Sequence, residues 1–214
     1  MPNKDSLSSG FVGEDIPSQE SMFSNISEFY RSESGYSCLH LCRRYGKLHI
    51  LKSLQPLFKQ EEFYKQLLHK EFNIGYQLDH PNIRHTIDWE QQEDLGLCIV
   101  MEYVDGISLK EFMIQGKLTQ PLAYKFIREL CEALHYIHSK QLVHKDLKPE
   151  NIIITHNGNN VKLIDFGLSD RDDYDTLKIP AGTKKYLAPE QLLPHASLDC
   201  RTDIYSLGVI IQDI

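Results

Sequence analysis

Short apolar runs separated by small-residue turns dominate the chain after residue 25 and predict β-strands at 26–30, 38–45 and 47–54. A run of small residues separates the first two strands, and the corner Tyr45-Gly46 separates the second from the third. Residues 1–24 are rich in Ser, Asn, Asp and Gly and show no periodicity, which predicts a flexible tail. The folded part of the chain is therefore expected to begin with short strands.

A helix is predicted over residues 59–79, because apolar residues recur on one stripe at about 100° per residue. The stripe consists of Phe63, Leu67, Ile74 and Leu78. Glu71 lies inside it, and a carboxylate on an apolar face needs a partner, since unpaired burial costs several kcal/mol and raises the pKa. We predict that this partner is Lys52 in the third strand. The alternative is a glutamate at the edge of the stripe that reaches water.

Further strands and helices follow. Strands are predicted at 83–90 and 97–103, and a short helix at 109–113 has Ser108 as its N-cap candidate. A long helix is predicted from an N-cap candidate at Thr119 to residue 140, since the proline two residues after Thr119 is tolerated in a first turn. The apolar stripe of this helix, which is expected to be buried, consists of Leu122, Phe126, Leu130, Leu134 and Ile137.

The segment 144–151, His-Lys-Asp-Leu-Lys-Pro-Glu-Asn, concentrates two carboxylates, two lysines and a carboxamide. Its proline keeps the preceding residue out of the helical region, so a loop is expected. Two β-branched runs then flank an Asn-Gly turn and predict a hairpin. Folding the hairpin symmetrically about Gly158 places Asn151 opposite Asp165, with Cα atoms roughly 4.5–5.5 Å apart. Two adjacent oxygen ligands suit a hard cation such as Mg²⁺, and Asp146 lies beside them.

Composition is that of an ordinary globular protein, with 41% hydrophobic and 25% charged residues among 214. The net charge of −7 argues against nucleic acid or an anionic membrane as the main partner. No apolar run approaches the roughly 20 residues that span a bilayer, and no secretory signal is visible at the N-terminus. The five cysteines are scattered without a C-x-x-C pair, which favours reduced thiols and a cytoplasmic location.

Three motifs together resemble the protein kinase family: H-K-D-L-K-P-E-N at 144–151, D-F-G at 165–167 and G-T-K-K-Y-L-A-P-E at 182–190. The resemblance implies an α+β fold of two lobes. The first, at 25–104, would hold an antiparallel β-sheet and one main helix. The second, at 105–214, would be mostly helical and cut short.

The resemblance also implies an activity, which is transfer of the γ-phosphoryl group of Mg-ATP to hydroxyls of a protein substrate. By this resemblance Asp146 orients the substrate hydroxyl, Lys148 steadies the transferred group, and the metal ligands are Asn151 and Asp165. Lys148 together with Thr183 resembles the serine/threonine-specific branch of the family. The implied cofactors are ATP and Mg²⁺.

The same resemblance implies a nucleotide site between the lobes. Lys52, oriented by Glu71, would contact the α- and β-phosphates. The remaining residues implied in nucleotide binding are Ser34, Gly35, Leu39, Ile50, Met101, Glu102, Val104 and Ile153.

The chain departs from the family pattern in the loop before the second strand, where Ser32, Ser34 and Ser37 stand in place of glycines. Glycine lets a backbone approach phosphate closely, which serine does only at a cost. Ile50 also replaces a small alanine over the adenine position. Two hypotheses therefore stay open, an active serine/threonine kinase and a weak or inactive pseudokinase-like nucleotide-binding or scaffold module. A small-molecule kinase is disfavoured by the A-P-E segment.

The resemblance covers residues 26–214 and about the first three-quarters of a kinase domain. Glu190 is therefore expected to lack the arginine that pairs with it in the family. The apolar side chains expected to be left uncovered are Leu207, Val209, Ile210 and Ile211. A partner protein or a further segment that covers this surface is expected.

Overall fold

A five-stranded antiparallel sheet forms the first half of the structure, a computed structural model that describes residues 23–32, 35–167, 181–193 and 196–214. Its strands are β1 (Ser24–Arg31), β2 (Ser37–Arg44), β3 (Lys47–Leu54), β4 (Thr86–Gln92) and β5 (Gly96–Glu102). They are arranged in the order β1-β2-β3-β5-β4. A small sheet of β6 (Gly106–Ser108), β7 (Ile152–Thr155) and β8 (Val161–Leu163) follows.

Within the described ranges, four α-helices accompany the sheets: α1 (Glu62–Tyr76), α2 (Leu109–Ile114), α3 (Gln120–Ser139) and α4 (Cys200–Asp213). Short 3-10 helices lie at Pro56–Phe58, Pro149–Asn151, Ala181–Tyr186 and Pro189–Leu192. In the part of the chain that the structure describes, no helix has both the length and the apolar character needed to cross a membrane.

The predicted corner between the second and third strands is confirmed as a two-residue hairpin turn. Tyr45 and Gly46 have φ of 50° and 77°, and the flanking residues Arg44 and Lys47 pair directly. Two consecutive left-handed residues form the turn whose twist matches that of antiparallel strands. Because strand residues alternate between faces, this register puts Lys52 and Ile50 on the same face of the sheet, towards α1.

Three clusters of buried apolar residues pack the described part of the chain, and two of them involve the long helices. In the first, Leu68 of α1 packs against the sheet residues Ile50, Leu54, Ile99 and Met101. In the second, α3 buries four members of its predicted stripe, Phe126, Leu130, Leu134 and Ile137, while Leu122 is partly buried. The second core thus follows the stripe predicted for α3. The stripe predicted for the first long helix is wrong in part, since Phe63 is 44% exposed and Leu78 lies beyond the last residue of α1.

The two predicted helix caps have different outcomes. Ser108 caps α2, since its hydroxyl accepts a hydrogen bond from the Glu111 backbone N–H at 3.1 Å. Thr119 occupies the N-cap position of α3 with extended backbone, but its side chain makes no capping hydrogen bond. The predicted cap at Thr119 is therefore correct in position and wrong in the bond that was expected to define it.

Helix α4 corrects one expectation about apolar exposure. Leu207 and Ile210 are buried, with 5% and 0% of their surface exposed, because both belong to the core around α3. Ile211 is 42% exposed, as expected, whereas Val209 is partly buried. Glu190, expected to lack an arginine, accepts a hydrogen bond from the Thr202 hydroxyl at 3.1 Å.

All five cysteines are free thiols, as the sequence predicts. Cys38, Cys42 and Cys98 are buried, whereas Cys131 and Cys200 are exposed. Burial raises the pKa of Cys42 to about 11 and that of Cys98 to about 12. These two thiols are therefore protonated and poorly nucleophilic at neutral pH.

Candidate active site

The loop that contains Asp146 is held in place by one fully buried carboxylate, that of Asp203 on α4. Its two oxygens accept hydrogen bonds from the backbone N–H groups of His144 at 2.8 Å and Lys145 at 2.9 Å. The ring of His138 lies 2.8 Å from the same carboxylate. Lys145 itself has φ of 65°, a left-handed conformation that these bonds stabilise. Asp203 therefore fixes the backbone immediately before Asp146.

Two polar side chains of this loop converge on the Asp146 carboxylate. Lys148 Nζ donates to Asp146 Oδ2 at 2.7 Å, and Asn151 Nδ2 donates to the same oxygen at 2.9 Å. Asn151 Nδ2 also donates to the Asp146 carbonyl at 2.8 Å. Burial raises the pKa of Asp146, and the Lys148 ammonium opposes this effect. With its amide nitrogen committed, Asn151 keeps Oδ1 as the atom that can accept a bond or coordinate a cation.

The hairpin register differs by one residue from the prediction. Thr155 pairs with Asn160, and the Ile164 N–H donates to the Asn151 carbonyl at 2.9 Å, so Ile164 and not Asp165 faces Asn151. The reason is the turn, in which Asn159 has φ of 48° and lets Asn160 join the ladder. Four residues then form the loop where five were expected.

Asp165 reaches the site through its own backbone conformation. It lies two residues beyond the last residue of β8 and has φ of 66°. Its carboxylate lies 3.2 Å from Lys52 Nζ and accepts the Gly167 backbone N–H at 3.1 Å. A chain turn, and not the strand ladder, therefore presents this carboxylate to the cleft.

Lys52 and Glu71 form the predicted ion pair, with 2.5 Å between Nζ and Oε1. Both side chains are almost fully buried, whereas 42% of the Asp165 side chain is exposed to the cleft. Desolvation would lower the pKa of Lys52, but Asp165 and Glu71 outweigh it and hold that pKa above its ordinary value. Desolvation would likewise raise the pKa of Asp165, but Lys52 and Arg84 hold it below its ordinary value. Lys52 and Asp165 are therefore both charged, whereas burial raises the pKa of Glu71 and the charges of Lys52 and Arg84 oppose that rise.

The remaining predicted residues surround this cluster to different extents. Leu39 and Ile50 lie on the same face of the sheet as Lys52, and Met101 is buried at the end of β5. The Glu102 carboxylate points away from that face, because it bonds Lys162 at 3.0 Å and the His85 backbone N–H at 3.0 Å.

Gly35, Val104 and Ile153 are all partly buried. The Gly35 N–H donates to Ser32 Oγ at 2.8 Å, and Ile153 lies in β7. Ser34 and the side chain of Thr183 lie outside the described residues, although the Thr183 backbone belongs to a 3-10 helix.

Tyr36 is a site residue that the sequence did not single out. Its ring lies 5.5 Å from that of Tyr64, and its side chain packs against the first core. A Cβ built on Gly167 would lie 3.3 Å from Glu71 Oε2 and 3.6 Å from the Tyr36 hydroxyl, so these groups meet around one glycine. Burial, and then the Glu71 charge, raises the pKa of Tyr36. The one feature of the sequence that could have indicated a role for Tyr36 is its position next to Gly35.

The donor set suits a magnesium nucleotide. The Asn151 amide oxygen and the ionised Asp165 carboxylate are hard ligands of the kind that Mg²⁺ prefers. Lys52, a protonated amine beside Asp165, suits a phosphate oxygen.

The comparison with protein families identifies the class of protein. The model of the protein kinase domain matches residues 33–214, which is most of the chain. The chain therefore belongs to the protein kinase family, and the predicted two-lobed α+β fold is confirmed.

Individual relatives agree with this assignment. The chain is similar to a probable serine/threonine-protein kinase, CPE1738, of Clostridium perfringens, at 33% identity over 177 residues, which cover 81% of this chain and 25% of the relative. It is similar to the serine/threonine-protein kinase PrkC of Bacillus subtilis, at 32% identity over 77% of this chain and 26% of PrkC. Human myosin light chain kinase 3 is 39% identical over 65% of this chain and 17% of the relative. The chain thus spans about a quarter or less of these relatives' length.

Proposed function

We propose that this chain is a serine/threonine protein kinase that transfers the γ-phosphoryl group of Mg-ATP to protein hydroxyls. The observation that carries the proposal is the convergence of Lys148 and Asn151 on the Asp146 carboxylate. A carboxylate held in this way can orient a substrate hydroxyl and accept its proton. Similarity to serine/threonine kinases supports the choice of substrate class.

Each residue of the site has one task in this proposal. Asp146 aligns the attacking hydroxyl, and Lys148 places a positive charge where negative charge develops on the transferred group. Asn151 Oδ1 and the Asp165 carboxylate would hold Mg²⁺, which supplies charge neutralisation at the phosphates when bound. Lys52, positioned by Glu71, would hold the α- and β-phosphates in line.

The surrounding residues would complete the substrate sites. Leu39, Ile50, Met101 and Ile153 offer apolar contacts for a nucleotide base, and the backbone of Glu102 and Val104 offers hydrogen bonds. Ser34 and Gly35 would lie over the phosphates, and Thr183 beside the substrate hydroxyl. A protein substrate, a cytoplasmic location and a further partner at the exposed part of α4 belong to the same proposal.

The deciding experiment is incorporation of labelled phosphate from Mg-ATP into a generic basic protein, followed by identification of the modified amino acid. We expect phosphoserine and phosphothreonine. Nucleotide binding without any incorporation would contradict the proposal and favour a pseudokinase-like module. Label in phosphotyrosine alone would contradict the substrate class.

A pseudokinase-like module is the second candidate because Tyr36 lies beside the Glu71–Lys52 pair, where phosphates must enter. We predict that Tyr36→Ala tightens Mg-ADP binding by about threefold or more, because the nucleotide no longer has to displace the ring. Titration of the two proteins by calorimetry tests this. Tyr124→Ala, which removes a tyrosine that is 67% exposed on α3, is the matched control and should leave the affinity unchanged. Weaker binding by Tyr36→Ala would show that the ring supports the nucleotide site.

We also predict that Asp165→Ala removes Mg²⁺-dependent nucleotide binding, because the substitution deletes a proposed metal ligand and leaves Lys52 with one carboxylate partner. Mg-ADP affinity should fall by about 10-fold or more, while affinity measured in excess chelator should change little. Equal losses in both conditions would remove Asp165 from the metal site.

A further inference from the structure

Arg84 is a charged residue that has no task in the proposed chemistry. It lies in the segment before β4, where its backbone N–H donates to the Leu163 carbonyl at 2.9 Å. Ile83 and Leu163 form a parallel bridge at the same point. This pairing fixes the Arg84 backbone against the end of β8, two residues before Asp165.

The Arg84 side chain lines a small cavity behind the site. Glu71, Thr86 and Phe166 line the same cavity, which has a volume of about 10 Å³ and therefore room for about one water molecule. Gly75 also lines it, and a Cβ on this residue would come within 2.4 Å of the Thr86 hydroxyl. The cavity is thus polar on one side and closed by an obligatory glycine.

The two oxygens of the Glu71 carboxylate differ in their hydrogen bonding. Glu71 Oε1 binds Lys52, whereas Oε2 is buried without a hydrogen-bond partner in the described part of the chain. An unpaired carboxylate oxygen in such a place costs free energy unless a positive charge compensates it. The Arg84 side chain lines the same cavity as Glu71, so its positive charge lies near this oxygen although the two side chains form no direct ion pair. The Arg84 charge accordingly acts against the rise that burial causes in the pKa of Glu71.

The charge balance of the Lys52–Glu71–Asp165 cluster also points to Arg84. Lys52 alone faces two carboxylates, those of Glu71 and Asp165, at 2.5 Å and 3.2 Å. With both carboxylates ionised and no second cation, the cluster carries a net charge of −1, and Lys52 and Glu71 are buried. Arg84 brings the cluster to neutrality, and its own pKa is lowered by burial while these carboxylates oppose the shift.

We propose that Arg84 is a second positioning cation of the Lys52–Glu71–Asp165 cluster, which neutralises the carboxylates from the β4 side and leaves Lys52 available for phosphate. The role in phosphate binding rests on the proposed kinase function. The charge balance in the free protein does not depend on that function and can be tested without any nucleotide.

The first test is a double-mutant cycle on the thermal unfolding of the nucleotide-free protein. Arg84→Met should lower Tm by about 4 °C or more, and Arg84→Lys should recover at least half of that loss because it keeps the charge. In a Glu71→Gln background the cluster is neutral without Arg84, so Arg84→Met should cost less than half as much there. Equal costs in both backgrounds, or a Lys variant no better than Met, would overturn the proposal.

If Arg84→Met fails to fold, a second variant still tests whether Arg84 acts through its charge. In that case the double variant Glu71→Gln/Arg84→Met should fold, because it restores neutrality. A double variant that fails to fold would show that Arg84 acts only through packing.

The second test is Mg-ADP binding by calorimetry. Arg84→Met should weaken binding by about fivefold or more, with Arg84→Lys within about twofold of the parent protein. Unchanged binding by Arg84→Met would overturn the role in phosphate binding. Absence of Mg-ADP binding or phosphate transfer in the parent protein would contradict the proposed function, and the unfolding cycle would still decide the charge role of Arg84.

Discussion

Asp146→Asn should abolish measurable phosphate transfer, with kcat lower by about 100- to 10,000-fold, while nucleotide affinity stays within a few-fold of the parent protein. Asparagine keeps the size of the side chain and can still accept from Lys148 and Asn151, which lie 2.7 Å and 2.9 Å from the present carboxylate. It cannot accept the proton of a substrate hydroxyl. The loss should therefore appear in kcat and not in nucleotide binding.

Asp105→Asn is the matched control for this substitution. The Asp105 side chain is 74% exposed and lies 3.0 Å from the His156 ring. The same chemical change at this site should leave kcat within about twofold, since exposed ion pairs contribute little. Retention of full kcat by Asp146→Asn would remove Asp146 from the mechanism, and a large loss in Asp105→Asn would show that the assay reports stability.

Much of the fold follows from the pattern of apolar residues. The predicted strand 47–54 matches the bounds of β3, and the stripe of α3 forms the second core. The need of Glu71 for a partner was predictable because a carboxylate inside an apolar stripe has few ways to be compensated. The choice of Lys52 as that partner came from the resemblance to protein kinases. These features depend on local periodicity, which a sequence records directly.

Features that depend on backbone conformation were harder to predict. The hairpin register shifts by one residue because Asn159 adopts a left-handed conformation, and Asp165 reaches the cleft through another. Asparagine and aspartate are among the few residues that tolerate this region, but their presence in a turn does not say which of them uses it. Local sequence therefore predicted the hairpin and missed its register.

Features that depend on distant contacts were missed for a different reason. Tyr36 reaches the site because its ring packs beside Tyr64 of α1, and Arg84 reaches it because its backbone is bonded to Leu163 of β8. Burial of Leu207 likewise depends on α3. The division of the chain at residues 1–24, 25–104 and 105–214 and the roles of Ser34 and Thr183 stay predictions.

Asp203→Asn should lower the stability of the whole molecule more than any other single polar substitution discussed for this site. The Asp203 carboxylate has no exposed surface and accepts two backbone N–H groups, those of His144 and Lys145. Asparagine has one oxygen and so can accept only one of these two N–H groups, and it turns an N–H donor towards the other. Because hydrogen bonds to a charged group contribute about 1.5–3 kcal/mol each, the loss is about 3–5 kcal/mol, a large part of the roughly 5–15 kcal/mol that stabilises a domain. For a chain of this size that corresponds to a fall in Tm of roughly 6–20 °C.

Thermal unfolding monitored by circular dichroism measures this effect, with Asp88→Asn as the control. The Asp88 side chain is 46% exposed and lies 3.3 Å from Arg44, so its substitution should change Tm by no more than about 4 °C. Because Asp203 holds the backbone before Asp146, the folded fraction of Asp203→Asn should also show a lower kcat. A Tm for Asp203→Asn within the range of the control would mean that the loop is held by other contacts, such as the bond from Gln191 to the Lys145 carbonyl at 2.8 Å.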